Sequence, residues 1–263
     1  MRSILVVGER RRHRFLANVV DQATDLKGLI VVKESRPGMA RSKDEHLAEL
    51  QERYLREERE AGVKFFGEPE HPRGNFPVVV LDREELNGPK AWVLLEKVEA
   101  DVALTYGVPF LREDTLSRMP QRRWNLHLGL CPAYRGNLAG FWPSYMLEPQ
   151  MTGMTLHELG PKLDEGDIIH QCTAPLVRGD GIHELICRSA KVMYDELPQV
   201  FELGEAGRLG EFKIQRSGKM WFKRDWRADH LRVIYDAFGD RIVDAYLDGK
   251  LERVEPRPHR QFS

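Results

Sequence analysis

The sequence predicts an α/β fold with a mostly parallel central sheet, and three observations support that prediction. Short apolar runs at 4–7, 29–32, 78–81 and 100–107 have the length and composition of buried strands. Segments with apolar residues at helical spacing separate these runs. Strands that alternate with helices in this way build parallel sheets, because a crossover helix returns the chain to the same edge.

The same two periodicities predict the other elements of the segment 1–205. The first helix places Phe15, Leu16, Val19 and Val20 at helical spacing. Further helices are predicted at 44–61, 91–98, 139–147 and 182–204. Further strands are predicted at 124–128, 154–159 and 168–174, and we expect 154–159 to be an edge or half-buried strand because it alternates. Loops are predicted at 67–77 and 160–166.

The character of the chain changes after Gly210, which divides it into a main domain at 1–205 and an extension at 206–263. Alternation around Ser217-Gly218 predicts a small hairpin at 211–222. An amphipathic helix is predicted at 229–247, and we expect the Pro- and Arg-containing tail after it to be poorly ordered.

Composition is that of an ordinary globular protein. Lys and Arg number 40 against 41 Asp and Glu, so the formal charge of −1 creates no field for nucleic acid or an anionic membrane. The three cysteines lack CxxC spacing, which argues against a disulfide framework and a zinc site. The N-terminal apolar run is too short for a signal peptide, and no run approaches a membrane span, so we expect a cytoplasmic protein.

Three polar side chains form the candidate catalytic set: Asn125, His127 and Asp164. Residues two apart on a strand share a face, so Asn125 and His127 should point the same way. An amide can stabilise a developing oxyanion, and an imidazole can move the proton of an attacking amine. A carboxylate supplied by the 160–166 loop would fix the tautomer of His127 and raise its basicity. This set is a minimal apparatus for acyl transfer.

Four ordered motifs extend this set: Asn-x-His at 125–127, Pro-x-Tyr-Arg-Gly at 132–136, Gly-x-Thr-x-His at 153–157 and Leu-Asp-x-Gly-Asp-Ile-Ile at 163–169. In this order and spacing they resemble the formyltransferase family that uses 10-formyltetrahydrofolate. The resemblance is dense over 124–171 and looser over the rest of the segment 1–205. It implies a Rossmann-like formyltransferase fold and transfer of a formyl group from the folate co-substrate to a primary amine. Asn125 would stabilise the oxyanion, His127 would shuttle protons, and Asp164 would orient His127 and accept charge through a water.

The resemblance also implies the residues that bind the folate. A loop after the fourth strand and the loop around the acid would form its walls: Val108, Pro109, Phe110, Leu111, Leu163, Glu165 and Gly166. Two positions depart from the family pattern, because Glu165 stands where a small residue is usual and Cys131 where Leu or Ser is common. A metal site at Asp164, Glu165 and Asp167 has no support in the family, so we expect none.

The sequence leaves the identity of the acceptor amine open. The length and the C-terminal extension look most like the nucleotide-sugar N-formyltransferases, which implies an amino sugar linked to a nucleotide and a homodimer. A secondary-metabolite amine, such as a hydroxyornithine-like side chain, is the alternative, and a folate-binding protein without turnover is a further one. Near-zero charge disfavours a nucleic-acid partner. The basic cluster at 10–14 reads best as a solvated helix face, with phosphate contact at the helix N-terminus as its alternative.

Overall fold

The computed structural model describes residues 1–33, 40–210, 212–213, 218–252 and 254–262. Its strands in chain order are β1 (Arg2–Gly8), β2 (Asp25–Val32), β3 (Val78–Leu81), β4 (Val102–Tyr106), β5 (Arg122–His127), β6 (Tyr134–Gly136), β7 (Gly153–Glu158), β8 (Ile168–Thr173) and β9 (Lys219–Trp221). Seven of them form one sheet in the order β3-β2-β1-β4-β5-β7-β8, and β6 pairs with β9 separately. The pairs from β3 to β5 are parallel, while β7 and β8 run antiparallel.

The helices are α1 (Arg11–Ala23), α2 (Glu45–Phe66), α3 (Pro89–Lys97), α4 (Glu113–Leu116), α5 (Trp142–Tyr145), α6 (Ile182–Glu205) and α7 (Ile242–Leu247). Side chains of α1, α2 and α6 share one apolar core with the central strands, and α3 and α4 share another with the opposite face. The predicted α/β fold with a mostly parallel sheet is therefore confirmed. No helix among the described residues is long and apolar enough to span a bilayer.

The strand order places a crevice at the carboxyl ends of β1 and β4. After β1 the chain moves towards β2, and after β4 it moves towards β5, so the two loops diverge. The buried ring of His13 fills the narrow space beside these ends and packs edge-on against Tyr106, with ring centroids 4.6 Å apart. A Cβ at Gly8 or Gly107 would come within 2.5 Å of this ring, so glycine is required at both positions. The absence of a side chain at Gly8 therefore makes room for the His13 ring.

Two elements of the main domain differ from the prediction. Strand β7 is buried between β5 and β8, so it is an interior strand although its sequence alternates. Its alternation fails as a signal because polar residues such as Thr155 and His157 find hydrogen-bond partners inside the protein. The helix predicted at 139–147 is limited to the single turn of α5.

The extension forms contacts other than the predicted hairpin. Phe212 bridges Ile168, and β9 pairs in parallel with β6, so the described parts of both predicted arms pair with distant segments. The turn was predicted at Ser217-Gly218, and Ser217 lies outside the described residues. The single helix predicted at 229–247 is also wrong: a π-helical turn, Val233–Ala237, and α7 are separated near Gly239 and Asp240, both of which have positive φ.

The described part of the C-terminal tail is ordered against the edge strand β8, contrary to the prediction. The backbone of His259 accepts a hydrogen bond from Gln171 at 2.7 Å, and its N–H donates to the Gln171 side chain. The ring of Phe262 stacks on His170, with centroids 4.9 Å apart. The tail thus covers an edge whose backbone groups would otherwise lack partners.

Candidate active site

Asn125 and His127 lie at the carboxyl end of β5 and both line a cavity of about 720 Å³. Their separation by two residues on one strand gives them the same face, as the sequence predicts. The cavity opens where the loops after β1 and β4 diverge, and it includes Gly107 and Arg12 from those loops. The strand order, rather than any local motif, therefore places the two side chains at a crevice.

Asp164 reaches this cavity from the 160–166 loop and lies between two imidazoles. One carboxylate oxygen is 3.5 Å from Nδ1 of His127, and the other is 3.5 Å from Nε2 of His157. The backbone N–H of Gly136 donates to the same carboxylate at 2.9 Å. Asp164 has a positive φ of 48°, which directs its side chain inward at a cost in backbone strain. The structure thus brings all three predicted catalytic residues together.

Electrostatics keep Asp164 ionised. Burial works to raise the pKa of this carboxyl, but His127, His157 and the Gly136 N–H together hold the pKa well below its usual range. A buried carboxylate with such partners retains its negative charge through neutral pH. It is therefore available to stabilise a positive charge on a neighbouring ring.

His127 is held as a neutral base with a defined tautomer. Burial lowers its pKa, and the Asp164 carboxylate opposes that shift. The Nε2–H donates to the backbone carbonyl of Tyr134 at 3.1 Å, which leaves the lone pair on Nδ1, the nitrogen that faces Asp164. The chain returns this closely because Gly129 has no side chain: a Cβ there would be 2.5 Å from the Tyr134 oxygen and 2.6 Å from Nε2.

His157 is the site residue that the sequence prediction missed. It lies opposite Asn125 in the β5–β7 register, and its Nε2 is 3.1 Å from the Asn125 amide nitrogen. Its Nδ1 donates to the carbonyl of Glu158 at 2.7 Å. The Gly-x-Thr-x-His motif contains this histidine, but only the strand pairing reveals that its Nε2 lies between the Asn125 amide and the Asp164 carboxylate.

The predicted folate-binding residues divide into two groups. The loop after β4 and the loop before Asp164 supply wall residues of the cavity: Val108, Pro109, Phe110, Leu111 and Leu163. Phe110 and Leu163 remain 54% and 41% exposed, so apolar surface faces an open site. Glu165 and Gly166 follow Asp164 but do not line the cavity.

Glu165 points instead towards cations of the surrounding loops. Its carboxylate is 3.4 Å from Arg135 and 3.8 Å from Lys162. Arg135 itself is buried and also donates to the carbonyl of Gly218 at 3.5 Å. The second acid of the loop therefore ties the loop to β6, which explains its departure from the family pattern.

Cys131 lies behind the catalytic set. It is buried, and burial raises the pKa of its thiol far above the usual range, which opposes a nucleophilic role. Its backbone N–H donates to Thr155, and its carbonyl accepts from Gln171 at 2.6 Å. Among the described residues, no group of three or more His, Cys, Asp or Glu side chains has the arrangement of a metal site.

The basic cluster at 10–14 does not form a solvated helix face. Its four arginines are half-buried and line a second cavity of about 460 Å³. Arg10 pairs with Glu58 at 2.7 Å, Arg11 pairs with Glu68 at 2.6 Å, and Arg14 donates to the Glu9 carbonyl. The buried Nε of Arg12 has no hydrogen-bond partner within the described part of the chain, although, against the effect of burial, the Glu58 carboxylate helps to raise the pKa of this guanidinium, and Arg12 borders both cavities.

Comparison with known proteins decides the family. The formyl transferase family matches residues 16–201. The chain belongs to the formyl transferase family. The match includes the Asn-x-His, Gly-x-Thr-x-His and Leu-Asp motifs, and it confirms the resemblance on which the prediction of a formyltransferase enzyme depends.

Solved formyltransferases share the fold at low sequence identity. A sugar N-formyltransferase from Shewanella is 13% identical with a TM-score of 0.56, covering 89% of this chain and 87% of its own. Phosphoribosylglycinamide formyltransferase from Anaplasma phagocytophilum is 18% identical with a TM-score of 0.57, covering 85% and 98%. The formyltransferase PseJ from Anoxybacillus kamchatkensis, in complex with a UDP-linked formamido sugar and tetrahydrofolate, is 16% identical with a TM-score of 0.52, covering 91% and 95%. At these identities the likeness establishes the fold.

Proposed function

We propose that this formyl transferase moves a formyl group from 10-formyltetrahydrofolate to the primary amine of a phosphate-bearing small molecule, an amino sugar linked to a nucleotide. The observation that carries the reaction is the convergence of Asn125, His127 and Asp164 on one cavity. The observation that carries the acceptor class is Arg12 at the border of the two cavities, whose buried Nε has no hydrogen-bond partner among the described residues.

In the reaction, the amine nitrogen forms a bond to the formyl carbon, the bond from that carbon to folate N10 breaks, and a proton passes from the amine to N10. Asn125 donates an amide N–H to the formyl oxygen as negative charge develops there. His127 takes the amine proton on Nδ1 and returns it to the leaving nitrogen. Asp164, 3.5 Å from Nδ1, stabilises the imidazolium that exists between these two transfers.

The larger cavity has the properties that a folate donor requires. Its volume of about 720 Å³ lies within the range of small-molecule sites. Apolar side chains such as Val108, Leu111 and Leu163 form a wall for a flat ring system. The exposed side chains of Arg83 and Lys223 border the cavity and complement the carboxylates of a folate tail.

The smaller cavity supports an anionic acceptor. Arg12 projects from the first turn of α1, a helix of 13 residues with no acidic side chain in its first turn and no side-chain cap. The Nε of Arg12 is buried without a hydrogen-bond partner, which is costly unless a ligand supplies one. A phosphate oxygen at this position would satisfy the guanidinium and benefit from the helix N-terminus.

An acceptor screen tests this proposal. Purified protein receives 10-formyltetrahydrofolate with UDP- or dTDP-linked amino-dideoxy sugars, glycinamide ribonucleotide or hydroxyornithine, and release of tetrahydrofolate is measured. We expect turnover with a phosphate-bearing acceptor. We expect Arg12→Gln to raise the acceptor KM by about 10- to 100-fold, the worth of a charge-assisted hydrogen bond, with little change in the folate KM.

Arg56→Gln is the matched control, because Arg56 lies on α2 outside both cavities and, among the described residues, makes only a long contact of 3.9 Å with Glu60. It should leave both KM values unchanged. Turnover of hydroxyornithine with no turnover of any phosphate-bearing acceptor would overturn the acceptor class. Folate binding without turnover of any amine would overturn the proposed reaction.

A further inference from the structure

Thr105 carries a buried hydroxyl that has no role in the reaction proposed above. It lies on β4 directly opposite Asn125 in the parallel register and is fully buried. Its Oγ1 is 2.7 Å from Oδ1 of Asn125, whereas the nearest alternative acceptor, the carbonyl of Trp124, is 3.3 Å away. The shorter contact identifies the Asn125 amide oxygen as the main acceptor of the Thr105 O–H.

A second contact fixes the other end of the same amide. His157 donates from Nδ1 to the Glu158 carbonyl, and in the tautomer with its proton on Nδ1 the lone pair is on Nε2. Asn125 Nδ2 is 3.1 Å from this lone pair and donates to it. Thr105 thus holds the amide oxygen and His157 holds the amide nitrogen, from opposite sides of β5.

The orientation of this amide decides whether the site can stabilise an oxyanion. An amide NH₂ carries two N–H groups, so one can bind His157 while the other faces the cavity that Asn125 lines. If the amide were flipped, so that its oxygen and nitrogen exchanged places, the oxygen would oppose the lone pair of His157 and would present negative charge to the formyl oxygen. Catalysis by Asn125 therefore depends on a donor that keeps Oδ1 away from both.

We propose that Thr105 is a positioning residue for formyl transfer, whose hydroxyl holds the Asn125 amide with its N–H groups towards the reacting formyl oxygen. This inference rests on the proposed role of Asn125. Thr105 borders the same cavity but is fully buried, and its hydroxyl is bound to Asn125, so it acts through that side chain. Loss of the Thr105 hydroxyl should therefore slow the chemical step when Asn125 is present and have no effect in a variant that lacks Asn125.

Thr105→Val tests the proposal, because valine keeps the shape and the β-branching and removes the donor. With 10-formyltetrahydrofolate and a UDP-linked amino-dideoxy sugar, or whichever amine the screen identifies, we expect kcat to fall about tenfold. The folate KM and the affinity for 5-formyltetrahydrofolate should change less than twofold. Thr105→Ser, which retains the hydroxyl, should restore most of the rate. In an Asn125→Ala background, Thr105→Val should have no further effect.

A measurement without turnover separates this inference from the proposed function. The side-chain ¹H–¹⁵N signals of Asn125, assigned by their loss in Asn125→Ala, should keep their positions in Thr105→Ser and shift or broaden in Thr105→Val. A normal kcat or unchanged amide signals in Thr105→Val would overturn the positioning role. So would an equal loss of kcat in the Asn125→Ala background, since that would indicate a packing effect. A normal rate in Asn125→Ala itself would overturn the proposed role of Asn125.

Discussion

Replacing Asp164 by asparagine removes one negative charge and keeps the shape of the side chain. The carboxylate lies 3.5 Å from His127 Nδ1, and two unit charges at that separation interact by about 5 kcal/mol at an effective dielectric constant of about 20. The interaction exists only while His127 is protonated, so its loss raises the barrier of the chemical step. We expect kcat to fall about a thousandfold, while the amide oxygen of Asn keeps the hydrogen bond from Gly136.

The pH profile of the same variant gives a second, independent expectation. Burial lowers the pKa of His127 and Asp164 raises it, so the asparagine variant should have a lower His127 pKa than the wild type. Because the neutral ring is the active form, the acid limb of kcat/KM should move to lower pH. Steady-state rates of tetrahydrofolate release between pH 5 and 8 measure both effects.

Asp167→Asn is the control for these measurements, since Asp167 belongs to the same motif, lies outside the cavity and makes no side-chain hydrogen bond or ion pair to the described residues. It should retain the wild-type rate and pH profile. A near-normal rate in Asp164→Asn, or an acid limb displaced to higher pH, would refute the assignment of the acid.

Three further predictions concern stability and the surroundings of the site. Burial, followed by the carboxylates of Glu57 and Glu184, raises the pKa of Asp240 to about 7, so its ionisation destabilises the folded state as pH rises through that value. Asp240→Asn should therefore raise the free energy of unfolding by about 2 kcal/mol at pH 8 and by little at pH 4, as measured by urea titration. Deletion of 254–263 should lower the free energy of unfolding by about 2–4 kcal/mol and increase light scattering. The reason is that the edge strand β8 loses the tail's hydrogen bonds and the Phe262–His170 stack. Cys131→Ala should retain at least about half of the wild-type kcat, because Cys131 does not line the cavity and its backbone hydrogen bonds to Thr155 and Gln171 would remain.

A specific result would contradict each of these three predictions. Equal stabilisation by Asp240→Asn at pH 4 and pH 8 would show that the charge is not the cause. An unchanged urea midpoint after tail deletion would mean that the edge contacts contribute nothing. Loss of turnover in Cys131→Ala would reopen a nucleophilic role for the thiol.

The sequence predicted the main sheet strands and the shared face of Asn125 and His127 because both depend on short-range patterns. Apolar runs report buried strands such as β1 and β4 directly, and the period of a strand places Asn125 and His127 on one face. Asp164 became a candidate through the resemblance of the four ordered motifs to the formyltransferase family. Errors arose where long-range contacts override local preference. Strand β7 is buried although its sequence alternates, because internal hydrogen-bond partners satisfy its polar residues. Strand β9 pairs with β6, which lies far from it along the chain, instead of forming the predicted hairpin.

The sequence by itself indicated the fold class, the family resemblance and the three candidate catalytic residues. Tertiary structure alone decided which side chains surround them. Strand pairing set Thr105 and His157 on either side of Asn125, and the divergence of the loops after β1 and β4 turned Arg12 towards the cavities. The physical reason is that hydrogen bonds and ion pairs between distant segments depend on register and strand order. Those are properties of the packed sheet, and no local periodicity encodes them.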